Sequence, residues 1–191
     1  MRQNKRTILT YTGRIFDFWE PTLEMICIDD IAHALALINR YNGHTHTPYS
    51  VAEHCERMSY LPGDPLVNLL HDAAEAYIGD VPSPQKKCLR FGVEDEGNTP
   101  FSNQELFILG FIGSALGVHR LANRVGHPDV KKADLIMLAT ETRDLMPSSN
   151  LYSWWTKGVT PLKEKITPLP WELAEDQFLA RFEELTKEAT L

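Results

Sequence analysis

The chain has 191 residues of which 43% are hydrophobic, enough for one domain with a sizeable core. Nineteen basic residues against 26 acidic ones give a formal charge of -7, which argues against a nonspecific nucleic-acid binder but leaves room for an anionic small molecule in a local basic pocket. Cys27, Cys55 and Cys88 are odd in number and form no CxxC, the first twelve residues are polar and basic, and no run approaches the roughly 20 apolar residues that span a bilayer, so a soluble cytoplasmic protein with no membrane or nucleic-acid partner is expected.

Residues 8–24 mix aromatic and polar side chains without a sustained period, which predicts an irregular or short-strand lead-in packing Phe16, Phe18 and Trp19 on the body; Trp19 is also a candidate to stack on a base. Asp29 or Asp30 then caps a helix with apolar Ile31, Ala34, Leu35 and Ile38, running to about residue 40. The loop over 41–49 holds a glycine, a proline, His44 and His46. Ser50 reads as an N-cap, with Glu53 completing a capping box for a helix to about residue 60 that carries His54.

After a turn over 61–65, Pro65 opens a continuous helix over 66–78, stopped by Gly79 and followed by Asp80. A short helix over 85–90 carries Lys86 and Lys87, and residues 91–100 read as an acidic loop. Ser102 or Asn103 starts a helix through Leu116, a connector follows over 117–127, and Pro128 opens a helix to about Leu145 that contains Asp134. Residues 146–170, with Trp154 and Trp155, read as an irregular segment folded against the core. Residues 171–187 form an amphipathic closing helix with Leu173, Phe178, Leu179, Phe182 and Leu185 on its apolar side. No segment shows convincing strand alternation, so the expected class is all-α: a single compact helical domain of six or seven helices.

The stretch Leu69-Leu70-His71-Asp72-Ala73-Ala74-Glu75 sets the chemical question. Ionisable groups inside an aliphatic helix cost several kcal/mol unless they are paired or bound to a metal. His54, His71, Asp72 and Asp134, carried by three helices, offer two imidazoles and two carboxylates, a set suited to a divalent transition ion such as zinc, manganese, cobalt or iron. Taken singly, His54 also fits a hydrogen-bonded core histidine, and Asp134 a capping or ion-paired residue.

Ser50-Val51-Ala52-Glu53-His54, then Leu70-His71-Asp72-Ala73-Ala74-Glu75, then Ala133-Asp134 resemble the H…HD…D signature of the HD-domain phosphohydrolase superfamily. Leu37-Ile38-Asn39-Arg40 and Gly79-Asp80-Val81-Pro82-Ser83-Pro84-Gln85-Lys86 resemble the bacterial HD-domain 5′-deoxynucleotidases. Gly13-Arg14-Ile15-Phe16-Asp17 and the helix at Asp29-Asp30-Ile31 are closer still to phage-type HD proteins, which include dATP triphosphohydrolases.

The resemblance, over about residues 13–145, implies a single HD domain with His54, His71, Asp72 and Asp134 as ligands of zinc, cobalt or manganese, with a magnesium accompanying a triphosphate. It implies Glu75 as the group that orients or deprotonates water, Asp80 as a general acid with a turn-stabilising role as its alternative, and Arg40 and Lys86 as phosphate-binding residues. His44 is a further phosphate candidate, and Lys87 reads as solvated surface. The implied activity is hydrolysis of deoxynucleotides, foremost a dATP or other dNTP to deoxynucleoside and triphosphate. The alternatives are a 5′-deoxynucleotidase and a non-catalytic nucleotide-binding protein. A homo-oligomer, dimer or hexamer, is implied by resemblance alone. The loop between Arg40 and His54 is longer than in the monophosphatase pattern, with Gly43-His44-Thr45-His46 inserted, which reshapes the phosphate end of the pocket.

Overall fold

A computed structural model describes residues 6–92, 98–148 and 154–188. The chain is mostly helical, with two short antiparallel hairpins. Strands β1 (Thr7–Leu9) and β2 (Ile15–Asp17) place Ile8 opposite Phe16. Phe16 is buried and stacks on Tyr77 at 4.0 Å, so the lead-in does lay its aromatics on the body. The second hairpin, β3 (Arg90–Gly92) and β4 (Asn98–Pro100), occupies the two ends of the expected acidic loop, whose residues 93–97 lie outside the described residues. The first hairpin is the short-strand form of the expected lead-in, the second replaces the ends of an expected loop, and the all-α class holds apart from these two small hairpins. Three-residue strands contain too little alternation to register as a period of two.

Helix α1 (Ile28–Leu37) starts earlier than expected, with Cys27 at the N-cap position. Asp30 does not cap it. Its buried carboxylate accepts from the Thr10 hydroxyl at 2.9 Å and from the Thr12 N–H and hydroxyl at 2.6 and 2.9 Å, fastening the first hairpin to α1. The helix also stops at Leu37, before Arg40, which opens a separate short turn. Helix α2 (Val51–Met58) begins as expected: the Ser50 hydroxyl accepts from the Glu53 N–H at 3.1 Å. The reciprocal half of the capping box is replaced. Glu53 accepts from Arg57 at 2.9 Å and from the Leu169 N–H at 2.9 Å, which pins the 146–170 segment to α2.

Helices α3 (Pro65–Leu70), α4 (Glu75–Ile78) and α5 (Ser83–Lys86) are short, and α5 ends before Arg90, which belongs to β3. Helix α6 (Phe101–Ala115) starts one residue before the expected serine, and the connector after it contains α7 (Leu121–Arg124). An added Cβ at Gly113 would lie 2.7 Å from Leu121 Cβ and 2.7 Å from the Val118 carbonyl oxygen, so α6 and its C-terminal turn meet with no room for a methyl. Gly113→Ala is expected to cost about 1–3 kcal/mol by overpacking, read as a lower urea midpoint with unchanged slope.

Helix α8 (Pro128–Leu145) matches its expected range, and α9 (Trp171–Glu188) closes the fold against α1 and α2. Ala174, Phe178 and Leu185 are its buried residues, while Leu173 is 42% exposed rather than part of the apolar face. Trp154 is 84% and Trp155 45% exposed, while Leu162, Ile166 and Leu169 of the same expected segment pack on the core. Among the described residues no helix is long and apolar enough to cross a membrane.

Candidate metal centre

The 66–78 segment is not one helix. After α3 the backbone bonds tighten to i→i−3, with the Ala73 N–H on the Leu70 carbonyl and the Glu75 N–H on the Asp72 carbonyl at 3.0 and 2.9 Å. The His71 ring supplies a reason: its Nδ1 donates to the Asn68 carbonyl oxygen at 2.8 Å, the acceptor that an α-helix would use for the Asp72 N–H. Tightening the turn brings both His71 and Asp72 to the same side. Gly79 (φ 80, ψ 155) then reverses the chain in a conformation that other residues rarely adopt, placing Asp80 near the same centre.

His54 comes from the first turn of α2 and is fully buried. Its Nε2 lies 3.4 Å from His71 Nε2, 3.7 Å from Asp134 Oδ1 and 3.9 Å from Asp72 Oδ2, and His71 Nε2 is 3.1 Å from the same Asp72 oxygen. Donors bound tetrahedrally at about 2.0–2.1 Å from one ion sit about 3.3–3.4 Å apart, so these separations are those of ligands around a shared centre. All four expected ligands therefore meet, with the Asp134 side chain, 41% exposed, on the open side.

Both imidazoles are prepared for this. His54 Nδ1 donates to Glu141 Oε1 at 2.5 Å and His71 Nδ1 to a carbonyl, which puts the hydrogen on Nδ1 and leaves each Nε2 lone pair facing the other. Two lone pairs at 3.4 Å repel unless a proton or a cation stands between them. The field agrees: burial opposes charge on His71, yet Asp72 and Cys55 hold its pKa well above the usual value. Burial would raise Asp72, but His71, His54 and Arg40 hold it well below the usual carboxylate range. A divalent ion satisfies the same preference for positive charge. Overlapping donor groups, His54 with His71 and Asp134, and Cys55 with His71 and Asp72, could hold a metal ion.

Arg40 reaches Glu141 Oε2 through Nε at 3.2 Å and Asp72 Oδ2 through Nη1 at 3.4 Å. Glu75 is buried; its Oε1 accepts from Lys86 at 3.1 Å, and its Oε2 has no hydrogen-bond partner. Burial raises the Glu75 carboxyl well above its usual range, and the Asp72 and Asp80 charges raise it further against the pull of Lys86. Lys86 also bonds Glu105 at 2.6 Å; burial would discharge it, but Glu75, Asp72 and Glu105 keep it charged. Burial raises the Asp80 carboxyl, against Arg40, Lys86 and His54.

His44 and Trp19 make their observed contacts elsewhere. His44 is exposed, its backbone N–H closing the turn onto the Tyr41 carbonyl, because the inserted loop runs over the surface. The Trp19 ring lies 6.0 Å from the Phe91 ring, beside the second hairpin. Two residues were not expected. Glu141 is fully buried and binds His54, Arg40 and the Tyr41 hydroxyl. It stands seven residues after Asp134, two turns along the same face of α8, and that spacing is the signal that identifies it. Cys55, buried with its Sγ 3.9 Å from His71 Nδ1, follows His54 directly and carries no signal beyond that.

No family model matches the chain. It is 41% identical over 92 residues to the uncharacterized protein RCAP_rcc00048 of Rhodobacter capsulatus, a match covering 42% of this chain and 47% of that protein. It is 33% identical over 184 residues to the uncharacterized protein YfdR of Escherichia coli (strain K12), covering 94% of this chain and 96% of YfdR. Matched over nearly the full length of both proteins, the chain belongs to the family of YfdR.

Proposed function

We propose that the protein is a metal-dependent phosphohydrolase of the HD-domain kind acting on deoxynucleotides, with a deoxynucleoside triphosphate, dATP foremost, as substrate and deoxynucleoside and triphosphate as products. The observation that carries the reading is the convergence of His71 Nε2, Asp134 Oδ1 and Asp72 Oδ2 at 3.4, 3.7 and 3.9 Å from His54 Nε2, with both Nδ1 atoms tied back. A bound zinc, cobalt or manganese ion supplies a Lewis acid for a phosphoryl oxygen and makes water acidic enough to attack at neutral pH.

The remaining groups fit that chemistry. Arg40 and Lys86 are the two cations beside the cluster and receive phosphate oxygens, the guanidinium as a fork and the ammonium as a compact charge. Glu75 presents a buried Oε2 with no hydrogen-bond partner, an acceptor that can take a proton from the attacking water. Asp80, whose carboxyl burial raises against the pull of Arg40, Lys86 and His54, is the candidate to give a proton to the leaving oxygen. His54, at the floor of the site, binds and orients without handling a proton, since its Nδ1 hydrogen is committed to Glu141.

One experiment tests the reading: incubation with a panel of deoxynucleoside mono- and triphosphates and zinc, cobalt or manganese, with products resolved by chromatography. Deoxynucleoside plus triphosphate is the expected result. Orthophosphate from monophosphates alone would replace the triphosphate assignment with a 5′-deoxynucleotidase, and no turnover with any metal would sink both.

A further inference from the structure

The turn after Arg40 is strained. Tyr41 (φ 57, ψ 29) and Asn42 (φ 52, ψ 31) are consecutive left-handed residues, a conformation that crowds Cβ against the following carbonyl and is an outlier for a bulky side chain. Such backbone persists where the surroundings over-determine it. The Tyr41 hydroxyl donates to Glu141 Oε2 at 2.6 Å, its ring centroid lies 5.4 Å from the Arg40 guanidinium carbon, and Asn42 Nδ2 donates to Gln85 Oε1 at 3.4 Å. The strained turn is thus tied to α8 on one side and to the α5 segment that carries Lys86 on the other.

The division of Glu141 shows what the strain supports. Oε1 is taken by His54, and Oε2 is shared between the Tyr41 hydroxyl and Arg40 Nε. A guanidinium beside a buried carboxylate ordinarily closes on it as a two-pronged fork. Here both oxygens are already engaged, so Arg40 meets Glu141 with Nε alone and extends Nη1 to Asp72. We infer that Tyr41 is a positioning residue, held in a strained turn so that its phenol keeps Arg40 from collapsing onto Glu141 and leaves the guanidinium available to a substrate phosphate. This rests on the phosphohydrolase reading.

The test compares wild type with Tyr41→Phe, which keeps the ring and the backbone and removes only the hydroxyl. Each full chain is loaded with manganese, titrated with inorganic phosphate by phosphorus NMR line broadening, and assayed for hydrolysis. Losing a charge-assisted hydrogen bond should raise the phosphate Kd and the KM about tenfold while kcat changes less than about threefold and manganese affinity is unchanged. Lower thermal stability with unchanged phosphate affinity would mean a structural role alone and overturn the inference, as would a loss confined to kcat. Wild-type protein that neither binds phosphate nor hydrolyses a deoxynucleotide overturns the phosphohydrolase reading and takes this inference with it, an outcome distinct from wild type and variant binding alike.

Discussion

Asp72→Ala is expected to abolish hydrolysis and to strip the protein of its divalent ion on dialysis. Asp72 Oδ2 contacts His71 Nε2 at 3.1 Å and lies 3.9 Å from His54 Nε2, so its removal takes one of four donors and leaves two imidazoles with a single remaining carboxylate, the half-exposed Asp134. Outer-shell losses alone weaken metal sites by about 10–100-fold, and loss of a direct ligand exceeds that. Fold stability falls less, because Arg40 keeps its second partner in Glu141 and is not left as an unpaired buried charge. The decisive measurement is metal content per chain after dialysis, beside turnover with added metal. Full occupancy and full rate in the variant would show that Asp72 is not a ligand, whatever the other three residues do.

The parts of the molecule legible in the sequence are those where one physical signal dominates. Pro128 and the apolar spacing of Val130, Ala133 and Met137 mark α8 to its ends, and Ser50 marks the start of α2, since a proline at the first position and a hydroxyl cap act locally. His71 and Asp72 were legible because an aliphatic surrounding makes charge conspicuous, whereas His54 and Asp134 stand out as ligands through the resemblance to the H…HD…D pattern. The break at His71 was not legible. The residues around it are good helix formers, and only the ring's bond to the Asn68 carbonyl overrides their preference.

Asp30 shows the same limit from the other side. An acidic residue in a first turn reads as a cap, but this one serves Thr10 and Thr12 across a hairpin that propensity cannot foresee. Residue type alone does not place His44 or Trp19, whose positions are set by local turns, the His44 N–H on the Tyr41 carbonyl and the Trp19 N–H on the Asp17 carboxylate. Glu141 went unread because attention to dipeptides and caps passes over a residue whose meaning lies seven positions back, at Asp134.

Glu141→Gln should be the more damaging change to the fold, and it separates orientation from ligation. The carboxylate receives three donors, His54 Nδ1 at 2.5 Å, the Tyr41 hydroxyl at 2.6 Å and Arg40 Nε at 3.2 Å, and its side chain is fully buried. Glutamine fills the same volume but offers one acceptor oxygen, so its amide group must face at least one donor, and the buried Arg40 loses half of its compensating charge. Breaking a buried pair in this way costs about 3–5 kcal/mol. Metal affinity should fall about 10–100-fold, because the His54 ring loses the acceptor that fixes its tautomer. Burial would raise the Glu141 carboxyl, but Arg40 and His54 hold it well below the usual range, so the folded state binds this proton more weakly than the unfolded chain. The stabilisation is then fully present above the unfolded glutamate value of about 4.3 and declines as pH falls below it toward the depressed folded value. Urea denaturation of both proteins should therefore show a constant gap from about pH 6 to pH 8 that narrows below about pH 4. Equal stability at neutral pH, or a gap that widens in acid, would contradict a buried, charged Glu141 as the group that holds Arg40 and His54 in place.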